Sequence, residues 1–258
     1  MKMPKIKSWG LLALIISPII VTFAGWKLAK AQLTPELLIS LEFPSAERPP
    51  NDPRSADSGG SRGGCIQKEE IKLTALMPLT QDGDGKSLPL VVGTTTSTNP
   101  KFFLYVPENQ AELAEFVIQE KSGESNKDIY QTQFKISGYS GIVKLTLPNN
   151  VNLQANKEYT WSFHMVCDTQ DRASDAYVTG TIKKVEISSY LENKLKNATT
   201  PLEKAKIYAE DKIWYDTIAT VADLRASNPA VWEELLRSVE LKDFVVSAPF
   251  APCCQVEQ

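Results

Sequence analysis

From Ile71 to Ile187, short runs rich in β-branched and aromatic residues alternate with turn residues. That is the pattern of half-buried strands. Strands are expected near residues 71–77, 101–106, 114–120, 130–137, 142–147, 158–167 and 176–187, with a short extra strand at 88–92. The clearest run is Tyr159–Cys167. Tyr159, Trp161, Phe163, Met165 and Cys167 fall on one face, and Thr160, Ser162 and His164 on the other, with Val166 the exception. Period two with one apolar face is the signature of an antiparallel strand packed on one side. Gly123-Glu124-Ser125-Asn126, Ser137-Gly138-Tyr139-Ser140-Gly141 and Pro148-Asn149-Asn150 separate the runs. These residue types supply the positive φ angles and side-chain turn bonds of tight connections. The spacing predicts a mainly β fold, an immunoglobulin-like antiparallel β-sandwich of seven or eight strands.

After Ile187 the period becomes helical. Ser189-x-x-Glu192 and Thr200-x-x-Glu203 read as capping boxes, the second with Pro201 at the first helical position. Leu202, Ala205, Tyr208 and Ala209 share one face of a first helix, and Trp214, Ile218, Val221 and Leu224 one face of the next. Asn228-Pro229 opens another, with Trp232, Leu235, Leu236 and Val239 aligned. A helical hairpin plus one helix is therefore predicted. Phe102-Phe103-Leu104-Tyr105-Val106 is apolar on both strand faces. One face enters the sandwich core. The other is covered by the helical tail with its Trp214-Tyr215 pair, or else Phe103, Tyr105, Trp214 and Tyr215 form a partner surface.

The ends of the chain have a different character. Lys2, Lys5 and Lys7 precede an apolar run from Trp9 to Trp26, and Ala29-Lys30-Ala31 supplies small residues for a signal peptidase. Residues 1–31 thus read as a cleaved secretion signal, with the mature chain starting at Gln32. The alternative is an uncleaved anchor, but the run is near the lower limit for crossing a bilayer and Pro18 interrupts it. Removal of residues 1–31 takes five lysines and no acids, moving the formal charge from −3 to −8. An acidic mature protein is a poor match for nucleic acid or anionic lipid. Residues 32–64, with Pro44, Pro49, Pro50, Pro53 and a Gly/Ser run, are expected to be a disordered linker. The expected order is then a sandwich at 65–187, a helical tail packed on it at 188–246, and a frayed terminus at 247–258. No stable membrane span is expected after cleavage.

Candidate chemistry is sparse. In an oxidising compartment Cys65, Cys167, Cys253 and Cys254 can pair in three ways. Cys65–Cys167 is favoured, closing a loop of about 100 residues that the chain-entropy argument values at roughly 4–5 kcal/mol. The alternative reading of Cys167 is a small buried apolar residue. His164 is the sole histidine, without the partners that a triad or a zinc site needs. Asp82-Gly83-Asp84-Gly85 resembles the start of a calcium loop, but the closing glutamate is missing. Asp168, Asp171, Arg172 and Asp175 form a candidate ligand loop. Its carboxylates could serve calcium or a glycosidase-like pair, or make turn bonds with Arg172 pairing one of them. No catalytic or metal-binding constellation follows, and no cofactor is indicated.

Four segments carry a family resemblance. They are Gly60-Ser61-Arg62-Gly63-Gly64-Cys65 with Leu73–Pro78, Pro100–Pro107 with Ala114–Val117, Cys167-Asp168-x-x-Asp171-Arg172 with Val178-x-Gly180, and Tyr208-Ala209-Glu210 with Ile213–Asp216. Over about residues 60–240 the chain is similar to the cyanobacterial family called domain of unknown function 928. That resemblance implies an exported protein and attaches no activity. The helices also resemble one tetratricopeptide unit, departing from it at Lys212 and Thr217. A single copy is too few to stand alone. The reading is an exported, periplasmic or secreted, non-catalytic binding or assembly module of the cell envelope or exterior. Its partner would be another protein or a glycan. The alternatives are a calcium-dependent or carboxylate-based hydrolase, and a structural envelope protein anchored by its signal.

Overall fold

The computed structural model describes residues 40–44, 64–68, 70–81, 87–89, 92–122 and 125–252. These all belong to one contact unit, Ser40–Gln258, which holds both the strands and the helices. The expected signal at residues 1–31, and with it residues 32–39, residues 45–63, the Asp82–Gly85 run, Gly123, Glu124, Cys253 and Cys254, lie outside the described residues.

The chain is mainly β with a helical C-terminal part. Its strands are β1 (Thr74–Ala75), β2 (Leu79–Gln81), β3 (Ser87–Pro89), β4 (Gly93–Thr95), β5 (Lys101–Val106), β6 (Leu113–Ser122), β7 (Ser125–Lys135), β8 (Gly141–Thr146), β9 (Glu158–Val166) and β10 (Ala176–Lys184). One sheet has the order β1-β5-β8 and a larger one the order β4-β10-β9-β6-β7, while β2 and β3 pair as a separate ribbon. The expected strands from β5 onward appear close to their expected positions. One pairing departs from the antiparallel expectation. β4 runs parallel to β10, with Ile182 opposite Gly93. No hairpin joins these two strands, which lie some eighty residues apart in sequence, so no tight turn dictates their direction.

The two sheets meet through aromatic rings. Phe102 of β5 lies 5.0 Å from Phe116 of β6 and 5.6 Å from Trp161 of β9, ring centre to ring centre. Alternation along β9 buries Tyr159, Trp161, Phe163 and Met165. The opposite face of β5 is covered by helices. Phe103 packs edge-on to Trp232 at 6.1 Å and to Phe250 at 6.2 Å. Both faces of the apolar strip are thereby used inside the molecule.

The tail has five helices rather than three: α1 (Ser189–Asn197), α2 (Pro201–Glu210), α3 (Trp214–Leu224), α4 (Pro229–Ser238) and α5 (Asp243–Val246). Only Leu191 of α1 is buried, so that helix has no apolar stripe for the sequence pattern to show. Its cap is Ser188, whose Oγ accepts from the Leu191 N–H at 3.1 Å. The Ser189/Glu192 pair therefore forms no capping box, and Glu192 pairs with Lys196 instead. The Thr200/Glu203 box is present in both directions.

Both supposedly loose ends of the domain are tied into it. Leu41 and Phe43, within the expected linker, are 1% and 4% exposed. Residues 249–251, expected to fray, run beside β8. The Ile142 N–H donates to the Pro249 carbonyl and the Ala251 N–H to the Ile142 carbonyl. Cys65 and Cys167 form a disulfide across a sequence separation of 102.

A polar joint inside the core ties helices to sheets. The Trp161 indole N–H donates to the Tyr215 hydroxyl at 2.7 Å, and that hydroxyl donates to the Thr181 carbonyl at 2.9 Å. Two glycines make room for these rings. A Cβ on Gly180 would sit 2.4 Å from the Trp161 ring, and one on Gly93 2.5 Å from the Tyr215 ring. Gly180→Ala should therefore lower stability by about 1–3 kcal/mol through overpacking. Urea unfolding monitored by tryptophan fluorescence reads this directly, and an unchanged midpoint would refute the close approach.

Candidate functional site

The predicted site residues fall into two groups with different fates. Phe103, Trp214 and Tyr215 are 3%, 0% and 2% exposed, and Tyr105 is half-buried against Phe244 at 5.2 Å. The proposed partner surface is thus interior, closed by the helical tail. Trp214 and Tyr215 are neighbours that serve different anchors. The Trp214 indole donates to the Leu76 carbonyl at 3.0 Å, while Tyr215 reaches Trp161.

The Asp168–Asp175 loop is spent on holding itself and the sheet's outer face. Asp168 accepts from the Gln170 N–H at 2.7 Å, and Asp171 caps the short 3-10 turn Arg172–Ser174 by accepting from the Ala173 N–H. Asp175 accepts from the Cys167 N–H and from Arg172 at 2.6 Å. Arg172 also reaches Glu115 of β6 at 2.9 Å. Glu115 accepts further bonds from Gln131 and Gln133. Burial opposes its charge, but the bonds from Arg172, Gln131 and Gln133 outweigh burial and hold its carboxyl below the ordinary glutamate value. His164, opposite Glu115 in the β6–β9 register, stacks on Tyr177 at 5.3 Å. Burial lowers its pKa against the pull of Asp175 and Glu115, so it is neutral at neutral pH. Among the described residues no three His, Cys, Asp or Glu side chains cluster to hold a metal ion.

A lowered carboxyl contributes stability that is present above its unfolded value of 4.5 and lost as pH falls through the folded value. Glu115→Gln should therefore lower stability at pH 7 by about 1–3 kcal/mol, the range for charge-assisted hydrogen bonds. It should also flatten the loss of stability on the acid side. Denaturation midpoints of both proteins from pH 7 to pH 3 check this, and parallel curves would contradict it.

A cleft of about 370 Å³ lies where β4 and the segment following it meet α2 and α3. Its floor is a carboxylate. Asp216, in the first turn of α3, accepts from the Thr95 Oγ1–H at 2.6 Å, the Thr96 N–H at 3.1 Å and the Thr96 Oγ1–H at 2.9 Å. Burial raises its carboxyl pKa, and the bonds from Thr95 and Thr96 offset only part of that rise. Tyr208 of α2 forms a wall. Its phenol is raised by burial first and by the Asp216 charge second. At the rim, Lys101 pairs with Asp223 at 3.0 Å, and the Asp223 side chain remains 61% exposed. Hydroxyls, one buried acid, one exposed ion pair, a phenol ring and proline edges at Pro100 and Pro201 therefore face one space. Such a set can hold an uncharged, hydroxyl-bearing molecule by hydrogen bonds and ring contact.

The sequence reading did not single out this cleft. Thr95, Asp216 and Tyr208 come from three elements, and no local spacing brings them together. A signal was present all the same, since Tyr208-Ala209-Glu210 and Ile213–Asp216 were among the segments that carried the family resemblance.

No curated protein matches the chain. The family described as Domain of Unknown Function (DUF928) matches residues 57–250, which take in every described strand and helix and both cysteines of the disulfide, and the chain belongs to that family.

Proposed function

We propose that this protein is an exported, non-catalytic binding module of the cell envelope or exterior, and that its ligand site is the cleft between β4, α2 and α3. The observation that carries the reading is the cleft itself: about 370 Å³ walled by Tyr208, floored by Asp216 and rimmed by Lys101 and Asp223. Its volume falls within the range of small-ligand sites. Of the two partner classes, a protein or a glycan, the chemistry favours a short glycan. A sugar presents an apolar ring face to Tyr208 and hydroxyls to carboxylate, threonine and asparagine groups. Export is supported by the Cys65–Cys167 bridge, because such bonds persist in oxidising compartments. It is supported also by the basic, apolar and small-residue order of residues 1–31. No described helix is long and apolar enough to cross a membrane.

The protein isolated from its host should begin at Gln32. Titration with neutral oligosaccharides of two to six units should give a saturable signal that Tyr208→Ala and Asp223→Ala each weaken at least tenfold, about 1.4 kcal/mol. An N-terminus at Met1 would remove the cleaved signal. Binding indifferent to both substitutions would remove the cleft as the site.

A further inference from the structure

Residues 40–44 alternate between exposed and buried positions against the domain. Ser40 is exposed, Leu41 buried, Glu42 exposed and Phe43 buried. Alternation of this kind is normally imposed by a sheet, yet no described strand pairs with these residues. Leu41 and Phe43 belong to the hydrophobic core, and Phe43 is held there by side chains of the helical tail. The Phe43 ring meets the Trp214 ring edge-on at 5.0 Å, at the start of α3. The Phe43 N–H donates to the Ser238 hydroxyl at 3.0 Å, at the end of α4, and that hydroxyl is itself oriented by donating to the Leu235 carbonyl. Two inward side chains and a side-chain acceptor for the peptide backbone are the elements of short-peptide recognition. The filler also comes from outside the matched domain. The family match begins at residue 57, whereas Trp214, Leu235 and Ser238 lie within it.

We infer that the helical tail carries a docking groove for a Leu-x-Phe peptide, filled in cis by residues 40–44, and that the same groove receives this segment from a second copy of the chain. Every copy brings both the groove and a matching occupant, so the exchange closes as a symmetric pair. The 19 residues from 45 to 63 join the strap to Gly64. Fully extended they span up to roughly 65 Å, enough to reach a neighbouring molecule. The inference is independent of the glycan cleft, which is lined by other residues.

The test uses the full chain as exported, a variant carrying Leu41→Asp and Phe43→Asp, and a fluorescent synthetic peptide of residues 38–46. The variant, its groove vacated, should bind the peptide at least tenfold more tightly than the unsubstituted protein. With different tags on the two proteins, pull-down of the variant should recover the unsubstituted protein, and free peptide should displace it. Equal peptide binding by the two proteins overturns the groove. Peptide binding without recovery of the mixed pair overturns the second copy as its source. If the double variant fails to fold, Glu42→Cys with Arg237→Cys keeps the question open to measurement. Both positions are exposed, and Arg237 adjoins Ser238. A short bismaleimide should then yield a crosslinked dimer that increases with protein concentration and is absent from the unsubstituted protein. Monomer alone at every concentration refutes the exchange.

Discussion

The structure depends on one buried polar contact between a helix and the large sheet. The Tyr215 hydroxyl accepts a hydrogen bond from the Trp161 indole N–H and donates one to the Thr181 carbonyl. A buried phenol without partners costs a few kcal/mol, and each of its partners would suffer the same loss. The three groups can be satisfied only if α3 stands at one height and one rotation against the large sheet. Burial raises the Tyr215 phenol far above its usual value, so it stays protonated and able to donate. Gly93 and Gly180 are the other half of this constraint, since any Cβ at either position would collide with one of the two rings.

Once α3 is fixed, the cleft follows. Trp214 and Tyr215 point inward to Leu76 and Trp161, and the next residue in the first turn is Asp216. Its carboxylate then meets Thr95 and Thr96 just where β4 ends. β4 itself is placed by its parallel pairing with β10 and by Thr94, whose hydroxyl donates to the Lys212 carbonyl between α2 and α3. The candidate site is therefore the outer rim of the structural joint. Thr95 and Thr96 serve both, binding the helix to the sheet and lining or adjoining the cleft.

Much of the fold was legible because its signals are local. Period two along β9, the apolar faces of α3 and α4, and the Thr200/Glu203 box each show within a dozen residues. The strip Phe102–Val106 posed a choice between a covered face and a partner surface, and Trp232 and Phe250 decide it for cover. What stayed hidden is non-local or lacks a pattern. α1 has one buried residue, the parallel β4–β10 pair joins residues far apart, and the packing of Leu41 and Phe43 depends on helices almost two hundred residues away. The acidic loop left ligation and turn bonds both open, and turn bonds are what it makes. Its carboxylates bind their own backbone, and Arg172 draws Asp175 and Glu115 together on the sheet. The pairing of Cys65 with Cys167 was long-range and still foreseen, because few alternatives existed.

The claim that sheets and helices share one core through Tyr215 and Trp161 is tested most directly by a double-mutant cycle. Stability is measured for Trp161→Phe, Tyr215→Phe and the pair together. The account predicts a coupling of about 0.5–3 kcal/mol, because the second substitution removes a group already left without its partner. Strictly additive losses would mean that the two side chains do not interact, and that the helical part is not held to the sheets in this way.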